Sequence, residues 1–423
     1  MNSRDRVLIT LNHGQPDRVP IFEFCINNSI GEYFLNKKVY LVGMGDSTKA
    51  AIEAEIKGKK EYRKFVMDSF LNSVELYAKA GIDTVGLNPA IFVTPYDFGL
   101  NIVSIAAIYD VEIKKEKENN YKIISIDENI PGFYNTCMYI PKSGTFQMIS
   151  DNIKETIDSK GFDEGIKEFE RYVDYLENTD LSKIPEPLKY GLDALEKAIE
   201  LNNKKYNLFL LGFGDIEYPC FVPYHPLFLE LMIKNGSLVH RYMRVTTNSV
   251  KAMIEIEIEL GVDGILAPND WVYRNGPMMS PAHFNEYMAP YLKELVDLTH
   301  KNNKKYIKHL DGRTYSLLDT LVNEVGIDAY HAIEPTAGMD ILKVKKMYGG
   351  KITVIGNIDC GEILCNWTPD KIEKEVKRII NETSPGCGHI FSSSNSIHSG
   401  VSVENFLSYV NAVKKFGHYP INV

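Results

Sequence analysis

The sequence predicts an α/β fold, a single (β/α)8 TIM barrel with an N-terminal helical extension and a β-hairpin insertion. Three observations carry this expectation. Short apolar, β-prone runs alternate with helical patterns through the second half of the chain, and such alternation implies parallel pairing with helical crossovers. With two earlier runs included the strands number about eight, which favours a closed barrel over an open sheet. No Gly-x-Gly-x-x-Gly or Walker A pattern opens a helix, which disfavours a nucleotide-binding open sheet.

In chain order, Ser3 caps a predicted helix through about Asn12, with Val7, Leu8 and Leu11 on one face and Gly14 and Pro16 ending it. Residues 19–24 read as a short strand. A long helical pattern runs from about 48 to 80, and residues 81–88 form an apolar run that stops at Asn88. Between about 95 and 141 the texture changes to alternating runs at 109–113 and 121–126, flanking the charged stretch 114–120; this predicts the hairpin insertion. Helical segments follow at about 163–178 and 189–203. Strands are then expected at 207–213, 264–267, 305–310, 329–333, 351–356 and 389–391. The helix 281–300 is capped by Ser280 and kinked at Pro290; the helix 369–382 is capped by Thr368. With no repeat and no long linker, residues 1–423 read as one domain, helical to about residue 80.

Composition narrows the function. The chain is 44% hydrophobic and 24% charged, ordinary for a globular protein. A formal net charge of −9 argues against a nucleic-acid partner. The absence of any apolar run of about eighteen residues argues against a membrane span. The N-terminus, Met1 to Arg6, leads into an amphipathic segment and does not read as a signal peptide. Six scattered cysteines fit reduced thiols, so a cytoplasmic protein is expected.

The candidate chemistry lies at the strand ends, which in a barrel form the active-site face. Residues at or just past them are Glu23; Asn88; Asp215 and Glu217; Asn269 and Asp270; His309 and Asp311; Glu334; Asn357, Asp359 and Cys360; and 392–395. His309 and Asp311 stand two apart in an extended run and so point the same way. Asp270, His309, Asp311 and Glu334 are each possible metal ligands or acid/base groups. Pro335 holds Glu334 extended. Trp271 offers either an aromatic wall or a loop anchor, and His331, inside its strand, reads as a packed, hydrogen-bonded core residue. Cys387, in Pro385-Gly386-Cys387-Gly388, is either a thiolate ligand or a small buried side chain.

Three passages resemble the uroporphyrinogen decarboxylase superfamily: Arg4-Asp5-Arg6-Val7-Leu8 leading to Pro16-Asp17-Arg18-Val19-Pro20; His309 through Glu334-Pro335 to Gly356-Asn357-Ile358-Asp359; and Gly388 to Asn395, followed by Val403-Glu404-Asn405. The resemblance implies a (β/α)8 barrel. True decarboxylases of this family carry an Arg-Gln-Ala-Gly-Arg loop after the first strand, an early strand-end Asp and a late His. Here the corresponding positions are Ile21 to Cys25, Asn88 and Asn395, with His398 close to the last. The chain looks closer to the corrinoid-dependent methyltransferase branch, many of whose members hold zinc with a His-x-Cys pair and a distant Cys. His309 matches the His, Asp311 stands in place of the first Cys, and Cys387 looks like the second.

That resemblance implies methyl transfer between a small-molecule donor or acceptor and a corrinoid on a separate corrinoid protein. Zinc would sit on His309, Asp311 and Cys387, with Glu334 as a fourth ligand or proton donor. Asp270 would orient the substrate, and Asn88, Trp271, Asn357 and Asn395 would line its site. The alternative is a cofactor-free decarboxylase or lyase that uses Asp270, His309 and Glu334 as acid/base groups.

Overall fold

The computed structural model describes residues 1–43, 45–89, 111–125, 132–141, 145–184, 186–220 and 222–421. Its strands, in chain order, are β1 (Thr84–Gly86), β2 (Val111–Lys117), β3 (Asn120–Ser125), β4 (Tyr134–Ile140), β5 (Thr145–Asp151), β6 (Phe209–Phe213), β7 (Gly264–Ala267), β8 (Val272–Tyr273), β9 (Gly276–Pro277), β10 (Lys305–Leu310), β11 (Ala329–Ala332), β12 (Thr353–Ile355) and β13 (His389–Ile390). Seven of them form one sheet in the order β1-β6-β7-β10-β11-β12-β13, and each adjacent pair is parallel. Strands such as Phe-Leu-Leu-Gly-Phe (β6) and Gly-Ile-Leu-Ala (β7) are buried at every position, because both faces of a parallel sheet are covered.

The segment 20–22 touches both edges of this sheet. Ile21 bridges Phe391 in parallel, and Phe22 N–H and Phe391 N–H donate to Phe391 O and Pro20 O, each at 2.9 Å. On the other side Asp83 N–H donates to Ile21 O at 2.9 Å. The arrangement is that of a TIM-like barrel.

The interior is marked by a cluster of Phe22, Phe209, Leu211, Phe213, Leu266, Ile307, Ala329, Ile355 and Ile390, to which the helix Ser3–Leu11 adds Val7 and Leu11. Ile307 therefore points inward, and by the period of two so do His309 and Asp311. Lys308 points to the opposite face.

Asp83, just before β1, ties the first helix to the barrel. Its buried carboxylate accepts from Ser3 Oγ and Arg6 Nη1 at 2.7 Å, and from Arg18 Nη1 and Ile21 N–H at 2.8 Å. Arg6 also grips Asp17. Arg6, Asp17 and Arg18 of the first family-like passage are thus framework residues. The helix cap is Asn2 rather than Ser3: Asn2 Oδ1 accepts Asp5 N–H at 2.8 Å, and Ser3 spends its hydroxyl on Asp83.

The insertion differs from a hairpin. β2 and β3 pair antiparallel across the charged stretch, and β4 and β5 extend them into a four-stranded antiparallel sheet that continues past residue 141. Residues 95–110 and 126–131 of the predicted insertion lie outside the described residues. The helix predicted over 281–300 is broken into Pro281–Tyr287, capped by Ser280 Oγ on His283 N–H, and Ala289–Lys301, with Pro290 in the first turn of the second piece. Thr368 occupies the N-cap of Pro369–Thr383, but its side chain makes no capping hydrogen bond. Among the described residues no helix is long and apolar enough to cross a membrane.

Removing one partner of a buried ion pair strands the other's charge, at a cost of about 3–5 kcal/mol. Asp83→Ala is expected to lose that much in urea unfolding, because Arg6 and Arg18 lose their shared acceptor. A loss under about 1 kcal/mol, the range of exposed pairs, would show that Asp83 is not the tie described.

Candidate active site

The register of β10 against β11 sets His309 opposite His331. Their Nδ1 atoms are 2.7 Å apart, and both rings are buried. Phe24, just past the segment 20–22 that joins the two edges of the sheet, stacks flat on His309 with centroids 4.6 Å apart and an interplanar angle of 4°. The Nε2 edge of His309 faces the carboxylates, with Asp311 Oδ1 at 3.6 Å.

Asp270 follows β7 and Glu334 follows β11, and together they grip the turn that leaves β10. Asp311 N–H donates to Asp270 Oδ1 at 3.0 Å, and Gly312 N–H to Glu334 Oε2 at 2.9 Å. Gly312 has φ +81°, and a Cβ there would meet Tyr273 O at 2.5 Å; both facts require glycine. Thr336 Oγ1 donates to the other oxygen of Glu334, and Asn395 Nδ2 to Asp311 Oδ2. The remaining oxygen, Asp311 Oδ1, is sequestered and has no hydrogen-bond partner among the described residues. Asp270, His309 and Asp311 each present a donor atom within 4.8 Å of the others, as ligands of one metal ion would.

The electrostatics follow from burial and like charge. Burial, then the fields of Asp270 and Glu334, push the Asp311 carboxyl up to about 8. Burial raises Asp270 to about 6, against the hydrogen bond from Asp311 N–H. Burial, His331 and Lys308 hold His309 well below the usual imidazole range.

Behind the sheet, Lys308 is fully buried. Its Nζ lies 2.5 Å from Asp215 and donates to Asn269 O at 2.7 Å and Ala267 O at 3.1 Å, while sitting 4.0 Å from the Trp271 ring centre. The ammonium thus clamps the ends of β6 and β7 and seats the residue before Asp270. Lys308 and Asp215 were missed as a pair by sequence reasoning. The available signal was a lysine alternating with apolar residues inside a buried strand, which requires a buried counter-charge.

Other strand-end residues divide. Asn395 joins the cluster through Asp311. Asn357 donates Nδ2 to Ile333 O at 2.8 Å and ties two strand ends together. Asn88 is buried directly after β1. Glu23 is buried and fully engaged by Ser393 and Tyr409.

Two expectations are corrected. Trp271 is not a wall of the mouth; it is completely buried, packed on Lys308 and Phe284. Cys387 does not join His309 and Asp311. It precedes β13, whereas they sit at the C-terminal end of β10, and in a parallel sheet those are opposite faces. Its carbonyl accepts from Lys345 Nζ at 2.8 Å on that far face. The residue that groups with His309 and Asp311 is Asp270.

A TIM-like barrel with ionisable groups gathered at the C-terminal strand ends has the architecture of a barrel enzyme. Residues 163–416, more than half of the chain, match the family model described as Uroporphyrinogen decarboxylase (URO-D), and the chain belongs to that family. Similar curated proteins include the uroporphyrinogen decarboxylases of Pseudoalteromonas translucida, 27% identical over 186 residues, covering 42% of this chain and 48% of the relative. That of Aromatoleum aromaticum is 28% identical over 166 residues, covering 38% and 43%. The chain thus spans about half the length of the curated relatives it matches. Among solved structures, a methyltransferase from Methanosarcina mazei is similar in fold over 98% of this chain and 99% of that one, with a TM-score of 0.59 and 16% identity.

Asp311 and Asp270 keep protons in the folded protein up to about pH 8 and 6 that the unfolded chain releases near pH 4. The folded state binds more protons in that window, so these groups make stability fall as pH rises through it. In metal-free buffer, Asp311→Asn should unfold at higher urea than wild type above about pH 8, and the gap should close near pH 4. A wild-type protein more stable than the variant at the alkaline end would contradict the raised carboxyl.

Proposed function

We propose that the protein is a methyltransferase that moves a methyl group between a small-molecule donor or acceptor and a corrinoid carried by a separate corrinoid protein, assisted by zinc on Asp270, His309 and Asp311. The observation that carries the metal is the unpartnered Asp311 Oδ1, 3.6 Å from His309 Nε2 and beside Asp270. At that separation the two atoms do not hydrogen bond, and crowded, half-buried carboxylates are relieved by a cation. One imidazole and two carboxylates are ligand types that zinc accepts in sites with an open position. When bound, zinc supplies Lewis acidity, which makes a substrate heteroatom a better nucleophile or a methoxy oxygen a better leaving group.

The protein's own groups do the rest. His309 is held by Phe24 and His331, and Asp311 by Asn395. Glu334 is positioned by Gly312 N–H and Thr336 to complete the ligand set or to move a proton at the substrate heteroatom. The partner would dock on the strand-end face. Fold likeness to the Methanosarcina methyltransferase is in keeping with this reading, and six cysteines free of disulfides are in keeping with a cytoplasmic setting.

A second reading is a cofactor-free decarboxylase or lyase. It is favoured by one observation: at neutral pH Asp311 retains a proton while Asp270 is ionised, an acid and a base side by side.

Metal analysis of the purified protein and the visible spectrum of methylcobalamin incubated with candidate acceptors separate the two. The proposal expects stoichiometric zinc, a spectral change on demethylation, and loss of both in His309→Ala. Fully active metal-free protein would remove zinc from the account. A spectrum unchanged with thiol, amine and hydroxyl acceptors would favour the decarboxylase.

A further inference from the structure

We infer that His331 is a positioning residue that sets the tautomer of His309, placing the proton on Nδ1 and leaving the Nε2 lone pair facing Asp270 and Asp311. The argument runs along one chain of buried contacts. His331 Nε2 lies 3.2 Å from Ser393 O and 3.1 Å from Ser392 Oγ. A carbonyl oxygen only accepts, so the contact to Ser393 places the proton of His331 on Nε2. A neutral imidazole carries a single N–H, which makes His331 Nδ1 an acceptor. His309 Nδ1, 2.7 Å away, must then donate, and its own Nε2 is bare. Both rings are buried, and the groups that hydrogen bond to His331 carry no charge, so nothing there offsets the cost of a buried cation and the neutral form is held.

The far end of the chain is anchored as well. Ser393 N–H and Oγ donate to Glu23 at 3.0 and 2.6 Å, and Tyr409 OH donates to the same carboxylate at 2.5 Å. Ser393, whose carbonyl meets His331, is therefore held by a buried carboxylate from the other end of the sequence. A histidine that only filled space would not need a fixed polarity. This one takes its polarity from the Ser393 carbonyl and hands it to His309, and a partner on the second nitrogen of a ligating histidine is what orients it and raises its basicity.

The tautomer is independent of the proposed function; only what His309 Nε2 binds rests on that reading. The test uses the full chain with 15N-labelled histidine, metal-free, at neutral pH. Long-range 1H–15N correlation spectra should show His309 as a single Nδ1–H tautomer with an unprotonated Nε2. In His331→Phe that single tautomer should be lost and zinc affinity, read by titration of zinc alone, should fall about 10–100-fold. His331→Gln, whose amide offers an acceptor and a donor, should retain most of both. His309 found as the Nε2–H tautomer or as a cation in the wild type would overturn the inference, whether or not the variants fold. So would a His331→Phe protein with native circular dichroism and an unchanged His309 tautomer. A wild type with the expected tautomer but no affinity for zinc would support the relay and defeat the metal reading alone.

Discussion

Three carboxylates, Asp270, Asp311 and Glu334, gather around the turn that leaves β10, the first two of them within reach of one desolvated imidazole, and the surrounding structure is built to hold them there. Burial raises Asp270, and burial with the neighbouring negative charges pushes the Asp311 carboxyl up to about 8. Backbone N–H groups of the turn after β10 engage two of them, and Asn395 engages the third. What remains unbalanced is one lone pair on His309 and one oxygen of Asp311. A proton or a metal ion must settle that imbalance, and the choice between them is the choice between the two functional readings.

The barrel supplies the precision. Parallel register fixes His309 beside His331, and inward alternation sends His309 and Asp311 to the mouth and Lys308 to the back. Lys308 with Asp215 then locks the ends of β6 and β7, and Asp83 with Arg6 and Arg18 locks the first helix to the first strands. One buried ion pair and one buried triad thus stand behind the position of the site. Because each leaves an uncompensated charge if broken, they specify one arrangement of the strand ends.

Much of this was legible in the sequence, because two periodicities carry it. The alternation of strands and helices foretold the parallel sheet, and the two-residue spacing of His309 and Asp311 foretold their shared direction. The same spacing rule places Trp271 on the side away from Asp270, yet adjacency to a candidate ligand gave it a role at the mouth. Cys387 was misplaced for a related reason. A residue near a strand is useful to this site only if it follows the strand, and Cys387 comes before β13. Lys308 went unread because a buried lysine is recognised by its partner, and Asp215 is distant in sequence. The relay through His331, Ser393 and Glu23 joins three remote segments and leaves no local signature. The extra strands β4 and β5 are pinned by pairing, β4 on β3 and β5 on β4, which local alternation does not reveal.

The central claim is that oxygen and nitrogen donors alone, from Asp270, His309 and Asp311, hold a divalent metal at the barrel mouth. The visible and near-ultraviolet spectrum of the cobalt(II)-substituted protein tests it most directly, because a thiolate ligand adds an intense charge-transfer band that carboxylate and imidazole ligands lack. The account predicts stoichiometric cobalt with ligand-field bands and no thiolate band, unchanged in Cys387→Ser. A thiolate band that disappears in Cys387→Ser, or a protein that takes up no cobalt, would contradict it.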